Sequence, residues 1–366
     1  MNGGNKVLIV GECHIDLYYK NSFFSDLIEN SSKKLMDFSQ NSDFQSKDDL
    51  KNILQETILD YHKKIESSSF IKRGGNGNNS AELLVNLGIP VKLLTVIGSN
   101  ASWMVSELQD LGIDVSSIYL LDKPTPISTI IDDPPITKIL VAPNFKREMN
   151  FDNITISNEV FQGVKIIFFT PIAEKFRKIV HLVEKIEIIS AFSIELQKVK
   201  LYSELKDLSK FKMDILFSNL KDLLEIFKKE IKDSNDIQAI KEMITEIDKD
   251  LHNHSYIRIY TFGRKGSFIR ADNDISLDIP IVPVKVLDQT GAGDTFAAAF
   301  LAKLYSIVED KNKLFTLYQQ KNRENLLNIL KECGEFSTYA AAYRLNSGKS
   351  PNKKELEKFM KNKELK

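Results

Sequence analysis

Asp288-Gln289-Thr290-Gly291-Ala292-Gly293-Asp294-Thr295-Phe296 runs directly into Ala297-Ala298-Ala299-Phe300-Leu301. The first half is small and polar, and the second is an apolar, alanine-rich run that reads as a buried helix. Upstream, residues 281–287 alternate in part and are rich in β-branched side chains, which reads as extended chain. Glycines let successive backbone N–H groups crowd together, and the helix N-terminus adds a partial positive charge, so the turn suits an anion. Asp294 stands beside that turn, where a carboxylate can take the proton of a hydroxyl placed at the same spot. Together these features suit phosphoryl transfer: the alcohol loses its proton to the carboxylate while the glycine N–H groups take up charge on the phosphoryl oxygens. The plainer reading is a glycine-rich turn with Asp as a helix cap.

Working outward, Lys6-Val7-Leu8-Ile9-Val10-Gly11 reads as a short apolar strand, and Asp16 lies just beyond its end, where open α/β sheets hold their ligands. A carboxylate there can accept two hydroxyl hydrogen bonds at once; the alternative is a solvated loop acid. His14 and Cys13 read as structural, since no metal-ligand spacing surrounds them. From Arg73 to Gly88 polar residues give way to an apolar face at Ala81, Leu84, Val85 and Leu87, the start of a helix. As a dinucleotide fingerprint, Gly75-x-Gly77-x-x-Ser80 is weak, because its third position is Ser and no convincing strand precedes it. Residues 164–170, 186–190 and 214–217 read as strands separated by amphipathic segments at 174–184 and 195–210. That order predicts a parallel sheet covered on both faces. Residues 127–131 and 139–142 read instead as two short strands joined by a stiff Pro134-Pro135 turn.

The 366 residues suffice for one large α/β domain or two small ones. Lys+Arg and Asp+Glu are both 50, and no basic run suggests a phosphate-backbone stripe, which argues against nucleic acid as a partner. No apolar stretch approaches a membrane span. No signal peptide precedes the first strand, and the two cysteines lie far apart, so a reducing cytoplasm is expected. Two lysine- and asparagine-rich segments look like insertions. The first, about 22–69, carries a helical face of Leu50, Ile53, Leu54, Thr57, Ile58 and Tyr61; the second, about 309–330, carries Leu326, Leu327 and Leu330. A peripheral position or a homodimer contact would suit both.

Asp-x-Thr-Gly-Ala-Gly-Asp-Thr-Phe closely resembles the C-terminal signature of the ribokinase-like (PfkB) carbohydrate kinases, and other motifs follow in the family's order. The resemblance implies a single kinase domain over 1–366: a three-layer α/β/α sandwich with a mostly parallel sheet and a small β lid, its strands at about 12–20 and 122–145. It implies Asp294 as catalytic base and Gly291-Ala292-Gly293 as anion hole. Asp16 resembles the carboxylate that binds acceptor hydroxyls. Gly74-Gly75 resembles the family's di-glycine hinge, and Asn79 its sugar-binding Asn. Asn219-x-x-Asp222 resembles an Asn-x-x-Glu motif that helps place Mg2+ and phosphates, with Asp in place of Glu; the plain reading is an Asn helix cap. Thr261-x-Gly263-x-x-Gly266 resembles a nucleotide turn, and is a β-hairpin turn in any case. Phe336 to Leu345 resembles the helix that borders the adenine pocket. Asp288 and Thr290 correspond to a loop that holds a monovalent cation such as K+ in some members. After Val96-Ile97-Gly98 the chain departs from the family, reading Ser99-Asn100-Ala101-Ser102-Trp103, which puts in doubt a substrate contact from that strand end; Trp103 reads as packing.

The activity so implied is ATP-dependent transfer of phosphate to a hydroxyl of a small sugar or sugar derivative, with Mg2+ as cofactor. A nucleoside kinase would use the same machinery and need an aromatic platform, for which Phe145, Phe23 and Phe24 are candidates. A sugar- or nucleotide-sensing protein that kept the fold is the non-catalytic alternative, motivated by Asp222 and by Ser99-Asn100.

Overall fold

Runs such as Val7-Leu8-Ile9-Val10 and Ile166-Ile167-Phe168-Phe169 are too short for buried helices and too apolar for a half-solvated sheet, and in the computed structural model they form strands covered on both faces, every one of these side chains fully buried. Burying each side chain of this size stabilises the fold by about 1.5–3 kcal/mol. The structure describes residues 5–20, 69–133, 136–141, 149–196, 198–208, 210–231, 233, 236–272, 274–319 and 322–364. The expected insertion helix with Leu50 to Tyr61, the Pro134-Pro135 turn, and Phe23, Phe24 and Phe145 lie outside them.

The strands are β1 (Lys6–Gly11), β2 (His14–Lys20), β3 (Ser69–Gly74), β4 (Val91–Gly98), β5 (Asp114–Leu121), β6 (Ile127–Asp133), β7 (Ile136–Val141), β8 (Val164–Thr170), β9 (Ile189–Ile194), β10 (Met213–Asn219), β11 (Ser255–Thr261), β12 (Ser267–Ala271) and β13 (Ile275–Ile279). The helices are α1 (Asn76–Asn86), α2 (Ser102–Asp110), α3 (Arg177–Val183), α4 (Tyr202–Leu208), α5 (Leu220–Phe227), α6 (Ile237–Leu251), α7 (Ala292–Ile307), α8 (Lys311–Leu317), α9 (Arg323–Ser347) and α10 (Lys353–Glu364). They fall into two compact units, one of Met1–Cys13, Gly75–Lys123 and Met149–Lys366, the other of His14–Gly74 and Pro124–Glu148.

The larger unit holds a nine-stranded sheet in the order β13-β12-β11-β10-β9-β8-β1-β4-β5. From β11 to β5 every neighbour is parallel, and β12 and β13 extend the β11 edge as antiparallel hairpins. The hairpin expected around Gly263 and Gly266 is the β11–β12 connection. Helix α9 packs against that antiparallel edge unusually closely: a Cβ on its Gly334 would fall 2.7 Å from Ile279 Cγ1 and 2.9 Å from Ile269 Cδ1. Leu326, Ile329 and Leu330 of α9 are buried within the unit, so the apolar face of the second insertion packs on its own chain.

On the same edge Asp248 of α6 is buried in an ionic cluster. Its Oδ1 accepts from Arg258 Nε at 2.7 Å and from the Tyr260 hydroxyl, and its Oδ2 faces Arg270 Nη1 at 3.3 Å. Arg258 also donates to Asp272 at 2.9 Å. Burial, then the charge of Asp248, pushes the Tyr260 hydroxyl well above its ordinary range, so it stays a neutral donor.

The smaller unit holds a four-stranded sheet, β3-β2-β6-β7, in which only β2–β6 is parallel. Cross-strand packing sets its register: Tyr18 stacks on Phe70 with ring centroids 5.1 Å apart, and Lys72 Nζ lies 3.9 Å from the Tyr18 ring centroid.

Three expectations need correction. Strand β3 does precede Gly75; its Ser-Phe-Ile-Lys-Arg-Gly sequence hid it, because Phe70 and Ile71 are adjacent rather than alternating and both are exposed. The strand expected at 186–190 is β9, Ile189–Ile194, three residues later, because residues 184–188 turn out of α3. The helical segment expected over 195–210 is helical only in α4, and Glu195 stands on the loop that leaves β9. Residues 281–287, expected as extended chain, form no strand and lie outside both sheets. Among the described residues no helix is long and apolar enough to cross a membrane.

Candidate active site

In a parallel sheet the C-terminal strand ends open into loops, and in the larger unit β8, β9, β10 and β11 deliver Thr170, Glu195, Asn219 and Thr261 to one such pocket, with Asp294 from the start of α7 on its wall. The pocket encloses about 470 Å3, solvent at its mouth included.

Gly291 caps α7 in the left-handed conformation, φ 75°, which a side chain would strain; its carbonyl accepts from Thr295 N at 2.9 Å and so starts the helix. A Cβ on Gly293 would meet nothing within 4 Å, so this face of the turn is open to a ligand. Asp294, half-buried in the first turn, is held from two sides by neutral amides of α1. Asn76 Nδ2 donates to Oδ1 and Asn79 Nδ2 to Oδ2, both at 2.9 Å. Burial pushes its carboxyl up to about 6, against the pull of those two hydrogen bonds and of Arg344. The result is a carboxylate of fixed direction and appreciable basicity beside a helix N-terminus, which is what general-base chemistry requires.

Asn76 also donates to Glu195 Oε1, so a single amide spans two carboxylates. Glu195 is pushed up to about 8, first by burial and then by the charges of Asp294, Glu12 and Asp222, with Lys198 opposing. Glu12, buried at the end of β1, takes Lys175 and Lys198 on the same oxygen, each at 2.5 Å. Asn219 is the cap of α5, its Oδ1 accepting from Asp222 N at 2.9 Å. Asp222 Oδ2 accepts from Leu196 N at 3.1 Å, which ties α5 to the loop carrying Glu195. Thr261 closes β11 on the pocket wall, and a single turn over Gly263–Lys265 leads to Gly266.

Gly75 precedes α1 as its cap residue, its carbonyl accepting from Asn79 N at 2.9 Å. Asp288 and Thr290 stand below the α7 turn: Asp288 Oδ1 accepts from Thr290 N at 2.8 Å, and both face the guanidinium of Arg344. Trp103 is half-buried on α2 and does not line the pocket.

In the smaller unit Asp16 lies on β2 opposite Lys72, and Gly74 ends β3 opposite His14, placed so that a Cβ on Gly74 would overlap the Asp16 carboxyl. Asp16 Oδ1 lies 3.1 Å from His14 Nε2, yet it and His14 Nδ1 are buried without a hydrogen bond among the described residues.

Sequence reasoning missed Asn76, Glu195, Arg344 and the Glu12–Lys175–Lys198 group. Position offered a signal for two of them: Asn76 follows the Gly74-Gly75 pair, and Glu195 follows an apolar strand. Nothing local distinguishes Arg344, whose partners lie 54 residues away.

Residues 63–345 match the pfkB family of carbohydrate kinases. A 5-dehydro-2-deoxygluconokinase of Clostridium botulinum (strain Eklund 17B / Type B) is 24% identical over 271 residues, covering 69% of this chain and 77% of that protein. Among solved structures, the ribokinase of Giardia lamblia has a TM-score of 0.69 at 16% identity, covering 98% of this chain and 99% of its own. The Arabidopsis thaliana ribokinase, solved with ribose and ATP, has a TM-score of 0.64 at 16% identity, again over 98% and 99%. At these identities the likeness to the solved structures is one of fold.

Proposed function

The chain belongs to the pfkB family of carbohydrate kinases, with a ribokinase-like α/β fold, and we propose that it transfers the γ-phosphoryl group of ATP to a hydroxyl of a small sugar or sugar derivative. The observation that carries this reading is Asp294, a carboxylate raised to about 6 and aimed by two neutral amides at the glycine-capped start of α7.

In the proposed reaction Asp294 takes the proton of the acceptor hydroxyl as that oxygen bonds to the γ-phosphorus and the bond from phosphorus to the β,γ-bridging oxygen breaks, ADP leaving, and the N–H groups of Gly291, Ala292 and Gly293 stabilise the charge on the transferring group. Asn76 and Asn79 keep Asp294 in line. Asn79, Gly74, Gly75 and Asp16 are assigned to the acceptor; the buried, unsatisfied Asp16 Oδ1 suits a sugar hydroxyl. Asn219, Thr261, Gly263 and Gly266 are assigned to the nucleotide.

Mg2+ fits the residues present. Asp294, Glu12 and Asp222 raise the cost of ionising Glu195, which a cation would relieve. Among the described residues no three His, Cys, Asp or Glu side chains form a ready cage, and Mg2+ ordinarily takes one or two carboxylates plus substrate phosphates. Asp222 and Glu195 would hold it, and the bound ion would neutralise phosphate charge. A monovalent cation does not fit Asp288 and Thr290, because Arg344 already stands against both. A reducing, cytoplasmic setting suits Cys13 and Cys333, both buried thiols.

The test is ADP release and product mass with 5-dehydro-2-deoxygluconate first, by analogy with the Clostridium relative, then ribose, fructose, a heptose and adenosine. Stoichiometric phosphorylation of a sugar or sugar acid is expected. Phosphorylation of adenosine alone would replace this reading with a nucleoside kinase, and no ADP with any acceptor would leave a binding protein.

A further inference from the structure

The turn that carries Gly291 to Gly293 rests on one guanidinium. Arg344, in the last turn of α9, donates from Nε to the Thr290 carbonyl at 3.0 Å and from Nη1 to the Gly348 carbonyl at 2.9 Å. Its Nη2 lies 3.6 Å from Asp288 Oδ2, and Asp288 in turn holds Thr290 N. The same group lies beneath the left-handed residue of the turn, with Nη2 3.7 Å from where a Cβ on Gly291 would be. Leu287 N, donating to the Leu345 carbonyl at 2.7 Å, fastens the loop to the same helix end. The Arg344 and Asp288 side chains are only 13% and 7% exposed.

One carboxylate and two backbone carbonyls converging on a shielded point are the ligands a K+-sized ion takes from a protein. Here a covalently attached cation fills that point. The last turn of a helix favours positive charge, since its carbonyls are unsatisfied there. Guanidinium stays charged in proteins, and its planar fork reaches several oxygens in fixed directions, which an ammonium cannot match.

We propose that Arg344 is a positioning residue that replaces a monovalent cation beneath the anion-hole turn, so that nucleotide binding and turnover are independent of K+. This rests on the kinase reading for its meaning, but the charge arrangement can be tested without an acceptor. Removing the guanidinium while leaving Asp288, Thr290 and Gly348 in place creates an oxygen-lined vacancy that a free ion can enter.

The experiment compares thermal melts and Mg2+-ATP affinity of the full chain in KCl, NaCl and choline chloride at equal ionic strength. Wild type is expected to be indifferent to the choice of salt. Arg344→Ala is expected to lose about tenfold or more in Mg2+-ATP affinity in choline chloride, the scale of lost hydrogen bonds to a charged group. It is expected to regain much of it, and to melt higher, in KCl alone, through ion binding to the folded state. Arg344→Lys, which keeps the charge but not the fork, should be weaker than wild type and still indifferent to K+. A selective response of wild type to K+, or an Arg344→Ala protein that binds Mg2+-ATP as tightly as wild type in choline chloride, overturns the proposal. The wild-type arm decides the matter even if Arg344→Ala fails to fold. Should wild type bind no Mg2+-ATP in any salt, the kinase reading falls, while a K+-selective rise in the melting temperature of Arg344→Ala still upholds the replaced cation.

Discussion

Asp248 and Asp294 are both carboxylates set into the larger unit, and their surroundings are opposite in kind. Asp248 is gripped by two arginines and a tyrosine hydroxyl. Asp294 is gripped by two carboxamides that carry no charge. The cations balance the buried negative charge of Asp248 and tie it into the fold; the amides fix the direction of Asp294 while burial raises its proton affinity. The number of hydrogen bonds is similar, so the charge of the donors separates a structural acid from the proposed reactive one.

The largest expected effect breaks the reactive side. Asp294→Asn should lower kcat by about two to four orders of magnitude, the range for losing a general base, without lowering Tm. The sign follows from linkage. A folded value of about 6 lies above that of the unfolded chain, so this group's stabilising contribution is complete below the unfolded value and lost as pH rises through about 6. At pH 8 the asparagine removes an unfavourable buried charge, and calorimetry should show an equal or higher Tm. Wild-type turnover in this variant would remove Asp294 from the mechanism.

Breaking the structural side comes next. Asp248→Ala leaves Arg258 buried without its main partner and should cost about 3–5 kcal/mol in denaturant unfolding, with KM for ATP unchanged in the folded fraction. A variant with intact stability and lost turnover would erase the distinction drawn here. A pH profile sharpens the contrast further. The base must be ionised to act, so kcat/KM should fall about tenfold per unit below about pH 6 and level off above it. An acid limb near the ordinary aspartate value would mean that the amides and burial leave no mark. Smallest is Tyr260→Phe, which leaves both arginines on Asp248 and should cost about 1 kcal/mol in unfolding experiments, with no change in the acid limb.

What the chain made legible was whatever is written in consecutive residues. The turn at Gly291–Asp294, the alanine-rich α7, the apolar strands β1, β8 and β10 and the short pair β6–β7 follow from local pattern. Asn219 was read both as a cap and as a site residue, and its capping hydrogen bond is present. Strand β3 was hidden because its apolar residues face solvent, and Glu195 was hidden by an amphipathic pattern that continued past the end of β9. The partners that tune Asp294 were beyond reach for a different reason: Asn76 and Asn79 lie more than 200 residues away in the chain, and only the parallel crossovers bring them together.

Gly334 and Arg344 sit on one helix, ten residues or about 15 Å apart along its axis. Because no Cβ fits between residue 334 and the two isoleucines of the sheet edge, the absence of a single methyl group sets how deeply that rod is seated. A rod transmits its seating to its far end, so an alanine at 334 would lift the guanidinium away from the Thr290 carbonyl. Alignment of the Gly291–Gly293 turn, the proposed phosphate cradle, is thereby gauged by an apolar contact at the middle of the same helix.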